Sequence, residues 1–214
     1  MKLVAGPTPP DPVSEAHAAA FEEAWREFTE TCAGTVAPEA TYQAWLAHFM
    51  IQRVGLMHVV REVDFGARHL GEAAAARFRG SNLMVDLLVL REPVVDLPRR
   101  AALAQVELPD GAPNPKSGLG RLKDFSVITE LKVSATQIEG LDYTEVVRDF
   151  EKLSAILNAA EQQYPGAPLP LAFVGIFNNR SKPRFNFEHL HRRLSQVPPH
   201  PRVGMLRFDL PGST

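Results

Sequence analysis

The chain has 214 residues, 45% of them apolar and 22% charged, with a formal net charge of −2 and one cysteine. That length suits a single domain, since one core stops growing only near ~250 residues, and the composition excludes wholesale disorder. The lone Cys32 excludes an intramolecular disulfide and a cysteine-based zinc site, and no apolar run is long enough for a transmembrane span. Prolines follow Met1 too early for a signal peptide's apolar region, so a cytoplasmic protein is expected.

Residues 1–13 are Pro-rich and expected to be disordered; one domain is expected over 14–214. From Ser14 to about Cys32, an Ala- and Glu-rich stretch with Phe21, Trp25 and Phe28 at helical spacing predicts an amphipathic helix, with Ser14 as its cap and Gly34 after its end. A second helix is predicted over 38–52, with Tyr42, Trp45, Leu46, Phe49 and Met50 on its apolar face and Pro38 in its first turn. Residues 55–65 read as a strand, 67–78 as a short helix or loop, and 83–90 as a second strand. The segment 93–123 holds five prolines and reads as a long insertion with one helix over 99–106. A strand over 125–133 follows. Val146, Val147, Phe150, Leu153 and Leu157 then predict a helix over 143–161, before a strand over 169–177, a helix over 187–194 and a last strand over 203–208. The order implies an α/β domain with a mixed central sheet flanked by helices.

Two of these strands carry charge where a buried strand should carry none. Asp86 interrupts Leu83-Met84-Val85-Asp86-Leu87-Leu88-Val89-Leu90, and Glu130 and Lys132 interrupt Phe125–Val133. An unpaired carboxylate in a sheet core costs several kcal/mol, so such groups are paired, protonated or bound to a cation. Side chains alternate faces along a strand, which puts Glu130 and Lys132 on one side and Leu131 and Val133 on the other. One explanation is a structural ion pair between Glu130 and Lys132. The other is a working constellation of Asp86, Glu130 and Lys132.

The order Asp86 on one strand, Glu130-Leu131-Lys132 on the next, then a helix and a further apolar strand resembles the PD-(D/E)XK nuclease superfamily, the restriction-endonuclease-like fold, over about 36–177. The resemblance implies a metal-dependent nuclease acting on DNA, with RNA as the alternative substrate and a homodimer as one assembly. It implies Mg²⁺, with Mn²⁺ as a substitute, held by Asp86, Glu130 and the Leu131 carbonyl; such an ion stabilises phosphoryl charge and acidifies water. Lys132 would orient the attacking water. A glutamate from the preceding helix completes the family's set, and Glu39 fits that place, with Glu62 as the alternative. Glu39 also suits a helix's first turn on dipole grounds alone. Two departures stand out: Val85 occupies the position of the family's proline, and Gln137, similar to the glutamine of the RecB-like branch, follows Lys132 at a short spacing.

The helix over 143–161 places Glu145, Arg148, Asp149 and Lys152 on its polar side, where ion pairs three and four residues apart are the ordinary reading. Arg148 and Lys152 reaching nucleic-acid phosphate is the alternative. Residues 1–40 hold seven acids against Lys2 and Arg26, whereas 180–207 hold seven bases against Glu188. Arg180, Lys182, Arg192 and Arg193 in that segment are therefore candidate phosphate contacts, as against a solvated face balancing the acidic amino terminus. The histidines form no metal spacing, and Gly118-Leu119-Gly120-Arg121-Leu122-Lys123 lacks the Walker pattern. Besides an active nuclease, the sequence admits an idle relative that binds nucleic acid or protein, and a small metal-dependent enzyme of another class.

Overall fold

The computed structural model describes residues 10–65, 70, 76–78, 83–93, 121–134, 141–179 and 185–210. Most of the 93–123 insertion with its helix over 99–106, most of 67–78, and Gln137, Arg180 and Lys182 lie outside the described residues.

Four helices and five strands are described, in the order α1 (Pro12–Cys32), α2 (Glu39–Val54), β1 (Val59–Asp64), β2 (Met84–Leu90), β3 (Phe125–Ser134), α3 (Tyr143–Gln163), β4 (Leu171–Asn178), α4 (Phe187–Gln196) and β5 (Val203–Asp209). The strands form one mixed sheet in sequence order. β1, β2 and β3 run antiparallel as a meander, and β4 and β5 are added parallel to β3 through the α3 and α4 crossovers. This is an α/β architecture with helices on both faces of the sheet. No helix among the described residues is long and apolar enough to cross a membrane.

Alternation along the strands builds two cores. Phe173 and Phe177 of β4, Val127 and Leu131 of β3, and Leu87 and Val89 of β2 pack with Phe21, Trp25, Phe28, Tyr42 and Met50 of α1 and α2. Val174, Ile176, Ile128, Leu88 and Leu90 pack on the other face with Val146, Phe150, Leu153 and Leu157 of α3 and with Leu190 of α4. Gly175 is fixed by this packing: a Cβ there would lie 2.6 Å from Cζ3 of Trp25, too close for any other residue without displacing the indole.

The first helix begins earlier than its sequence suggests. Asp11, not Ser14, is the cap: its carboxylate accepts the Ser14 N–H at 3.1 Å and the Ser14 hydroxyl at 2.9 Å, with Pro12 inside the first turn. A proline in that turn carries no N–H to satisfy, so the boundary moves to the acid before it. Asp11 also pairs with Arg91 at 2.5 Å, and Arg91 donates to Lys123 O at 2.8 Å and Leu169 O at 3.3 Å, which ties the start of α1 to the ends of three strands. Burial pulls the Asp11 carboxyl upward, but hydrogen bonds from Arg91 and Ser14 prevail and hold it at about 2. A depressed folded-state pKa stabilises above the unfolded value of about 3.9 and loses that contribution as pH falls toward the folded value. Urea midpoints should therefore fall more between about pH 5 and pH 2.5 for wild type than for Asp11→Asn, which keeps the cap but not the titration. Equal falls would show that the pair contributes nothing.

Candidate functional site

The site forms where β2 separates from β3. Their ladder pairs Leu87 with Thr129, Leu88 with Ile128 and Val89 with Val127, and it is not continued past Leu87 although β3 runs on to Ser134. On its other side β2 still pairs with β1, Arg61 with Leu87 and Val63 with Val85, around Glu62. Glu62 has φ 58°, the one non-glycine residue with positive φ among those described. Val85 and Leu87 pack into opposite cores, so β2 rolls over at the residue between them, Asp86.

Separation leaves β3 with edge amides that need acceptors. Asp86 Oδ2 accepts the Leu131 N–H at 2.8 Å, and Glu39, in the first turn of α2, accepts the Val133 N–H. Two carboxylates thus replace the missing strand partner, one from β2 and one from α2. The N–H and C=O of a residue in a strand share an edge, so the Leu131 carbonyl faces the same gap as Asp86.

On the face toward α3, Glu130 and Lys132 meet two residues of that helix. Lys132 Nζ is 3.4 Å from Asp149 Oδ2 and 3.9 Å from Glu39 Oε1. Lys152 Nζ is 2.7 Å from Glu130 Oε1 and 3.5 Å from Asp149 Oδ1, and it donates to Met84 O at 2.9 Å. The expected strand-mates Glu130 and Lys132 are thus each paired mainly to α3, and Lys152 is turned inward, its side chain 13% exposed. Asp149, expected on the polar side of its helix, is buried. It stands three residues after Val146 and four before Leu153, on the helix's buried stripe, so its carboxylate enters the site.

Four carboxylates, Glu39, Asp86, Glu130 and Asp149, therefore face two ammoniums, a formal excess of two negative charges. Burial pushes Glu39, Asp86 and, most strongly, Glu130 above the usual carboxylate range, and the neighbouring carboxylates add to it while the lysines oppose it. Burial alone would lower Lys132, but Asp149, Glu39, Glu130 and Asp86 outweigh it and hold the ammonium above the ordinary lysine range. Glu130 Oε1 and Asp149 Oδ2 are buried, and each faces an ammonium, Lys152 at 2.7 Å and Lys132 at 3.4 Å. Four carboxylates, three of them buried or nearly so, against two ammoniums leave an excess of negative charge that a divalent cation fits. Among the described residues no three His, Cys, Asp or Glu side chains are gathered as a metal cage. The set expected from sequence is two carboxylates and a carbonyl, which Mg²⁺ completes with water and phosphate oxygens.

The site opens on a cleft of about 230 Å³ lined by Phe78, Leu83, Lys132, Glu145, Arg148, Asp149 and Lys152. Arg148 stands over the Phe78 ring, 6.0 Å from its centroid. On α4, Arg192 is exposed, and Arg193 reaches Thr144 Oγ1 at 3.4 Å beside the first turn of α3. The carboxyl-terminal bases do not form one free face: Arg202 is buried and donates to Leu169 O at 3.0 Å, and Arg207 packs on Phe187. Glu62, the alternative to Glu39, is exposed and lies 3.9 Å from Arg61.

The loop that leads into α2, ahead of Glu39, is held by Asn179 after β4. Its amide accepts the Gly34 N–H at 2.6 Å and donates to Thr35 O and, at 3.3 Å, to Cys32 O, while the Tyr42 hydroxyl also donates to Thr35 O. Neither Asn179 nor Asp149 follows as a site residue from the sequence, where the helix spacing places Asp149 on the polar side; its place three residues after Val146 and four before Leu153 is the signal that points inward. No family model, curated protein or solved structure matches this chain.

Proposed function

We propose that this chain is a metal-dependent nuclease of the restriction-endonuclease-like, PD-(D/E)XK type, hydrolysing phosphodiester bonds in DNA with Mg²⁺ or, in its place, Mn²⁺. The observation that carries this reading is the gap between β2 and β3, where Asp86 and Glu39 take the edge amides of β3 beside Glu130 and Lys132. The antiparallel meander followed by a helical crossover to a parallel strand supports the finer fold assignment.

Asp86, Glu130 and the Leu131 carbonyl would hold the ion, which when bound neutralises phosphate charge and makes water more acidic. Lys132, kept protonated by its carboxylate neighbours, acts as a donor and not as the base, and the attacking water would give up its proton to solvent. Lys132 donates hydrogen bonds to the attacking water and to the phosphate as charge develops. Glu39 and Asp149 fix where its ammonium points. Arg148 at the cleft, with Arg192 and Arg193 on α4, would contact the phosphate backbone and position the substrate without reading its sequence.

The second reading, an idle module that binds nucleic acid or protein, is favoured by one observation: Lys152 already answers Glu130 from within the chain. Labelled duplex DNA, single-stranded DNA and RNA, each incubated with the full chain in Mg²⁺ or in EDTA, separate the two. Fragments of DNA in Mg²⁺ and none in EDTA are expected. Binding of DNA without cleavage in either Mg²⁺ or Mn²⁺ would replace the nuclease by the idle module.

A further inference from the structure

Lys152 is the cation whose position the nuclease reading does not require. Glu130 is 2% exposed, and the charged groups acting on it are Lys152 most strongly, the carboxylates of Asp86 and Asp149, and Lys132 more weakly. An ammonium has three donors, and those of Lys152 face Glu130, the Met84 carbonyl and Asp149. Its four-carbon stem reaches this point from the third turn of α3, beside the cleft that Lys152 itself helps to line.

We infer that Lys152 is a tethered counter-ion of the metal site, whose ammonium neutralises Glu130 and must leave that carboxylate when a divalent cation is bound there. The inference rests on the metal-site reading above. A cation coordinated by Glu130 and an ammonium 2.7 Å from Glu130 Oε1 would crowd one buried carboxylate and repel each other. An ionised carboxylate buried this deeply among two others and left unpaired would be strongly destabilising, so the Lys152 ammonium supports the fold there. Once displaced, the ammonium has the cleft to enter, where it joins Lys132 and Arg148 at the place a substrate phosphate would occupy. Metal loading and release of a phosphate-binding lysine are then one event.

The experiment is Mn²⁺ titration by calorimetry, with thermal melting, on the full chain without nucleic acid, comparing wild type with Lys152→Met and Lys152→Arg. Removing the competitor leaves Glu130 unpaired, so Lys152→Met should bind Mn²⁺ at least about tenfold more tightly than wild type. Its melting point should be lower than wild type in EDTA and should rise further on adding Mn²⁺, whereas Lys152→Arg should behave like wild type. If Lys152→Met does not fold in EDTA, Lys152→Gln takes its place, with a polar head left for the Met84 carbonyl. Equal or weaker Mn²⁺ binding by a folded Lys152 variant would make Lys152 a structural brace and leave the metal reading standing. No Mn²⁺ binding by wild type or any variant would overturn both.

Discussion

Changing Lys132 to methionine is expected to slow Mg²⁺-dependent cleavage by about 10²–10⁴-fold, the range for losing a positioned proton donor or charge stabiliser. Mn²⁺ binding should survive, because an ammonium is no metal ligand. The stem of methionine preserves most of the packing around β3, so the change isolates the charge. The charge also has a structural partner: Lys132 lies 3.4 Å from Asp149, which is buried. Leaving one member of a buried pair can cost as much as about 3–5 kcal/mol, and Lys152 remains near Asp149 to reduce that. A lower melting point is therefore expected, and adding Asp149→Asn should recover part of it without recovering cleavage. Single-turnover cleavage and melting, measured on the single and double variants, separate chemistry from folding. If Lys132→Met cleaved as fast as wild type, Lys132 would be a charge-balancing residue only.

Asp86→Asn should abolish cleavage and weaken Mn²⁺ binding while leaving the fold as stable as wild type or more so. The asparagine carbonyl can still accept the Leu131 N–H that Asp86 accepts at 2.8 Å, so the gap between β2 and β3 keeps its cap. Burial disfavours the charge of Asp86, and Asp149 opposes it too. Removing one of four crowded carboxylates relieves that repulsion, with a gain of up to about 1 kcal/mol. Loss of function with no loss of stability is the mark of a group kept for what it binds. A marked fall in melting point would instead make Asp86 a structural brace.

The nine described elements lie close to where periodicity and turn residues place them, because each is decided locally. The α3 stripe, the apolar strands with their single acids and the Pro38 start of α2 all follow from spacing within one segment. What spacing within a segment cannot reach is the partner. Glu130 and Lys132 share a face of β3, yet each pairs with α3, since two side chains on one strand compete for space while a helix crossing above offers opposite charges. The helical angle of Lys152 is polar and predicts an outward cation; only the tertiary fit sets its reach to Glu130. The same holds for Arg202, whose burial depends on how the turn before β5 meets Leu169. The separation of β2 from β3, which creates the site, has one local trace, the acid in an apolar run at Asp86.

The most direct measurement is the anomalous difference map of crystals grown with saturating Mn²⁺. An ion held by Asp86, Glu130 and the Leu131 carbonyl, with the Lys152 ammonium moved off Glu130, is the expected result. Lys152 still on Glu130 with no anomalous peak between the two carboxylates would contradict the account.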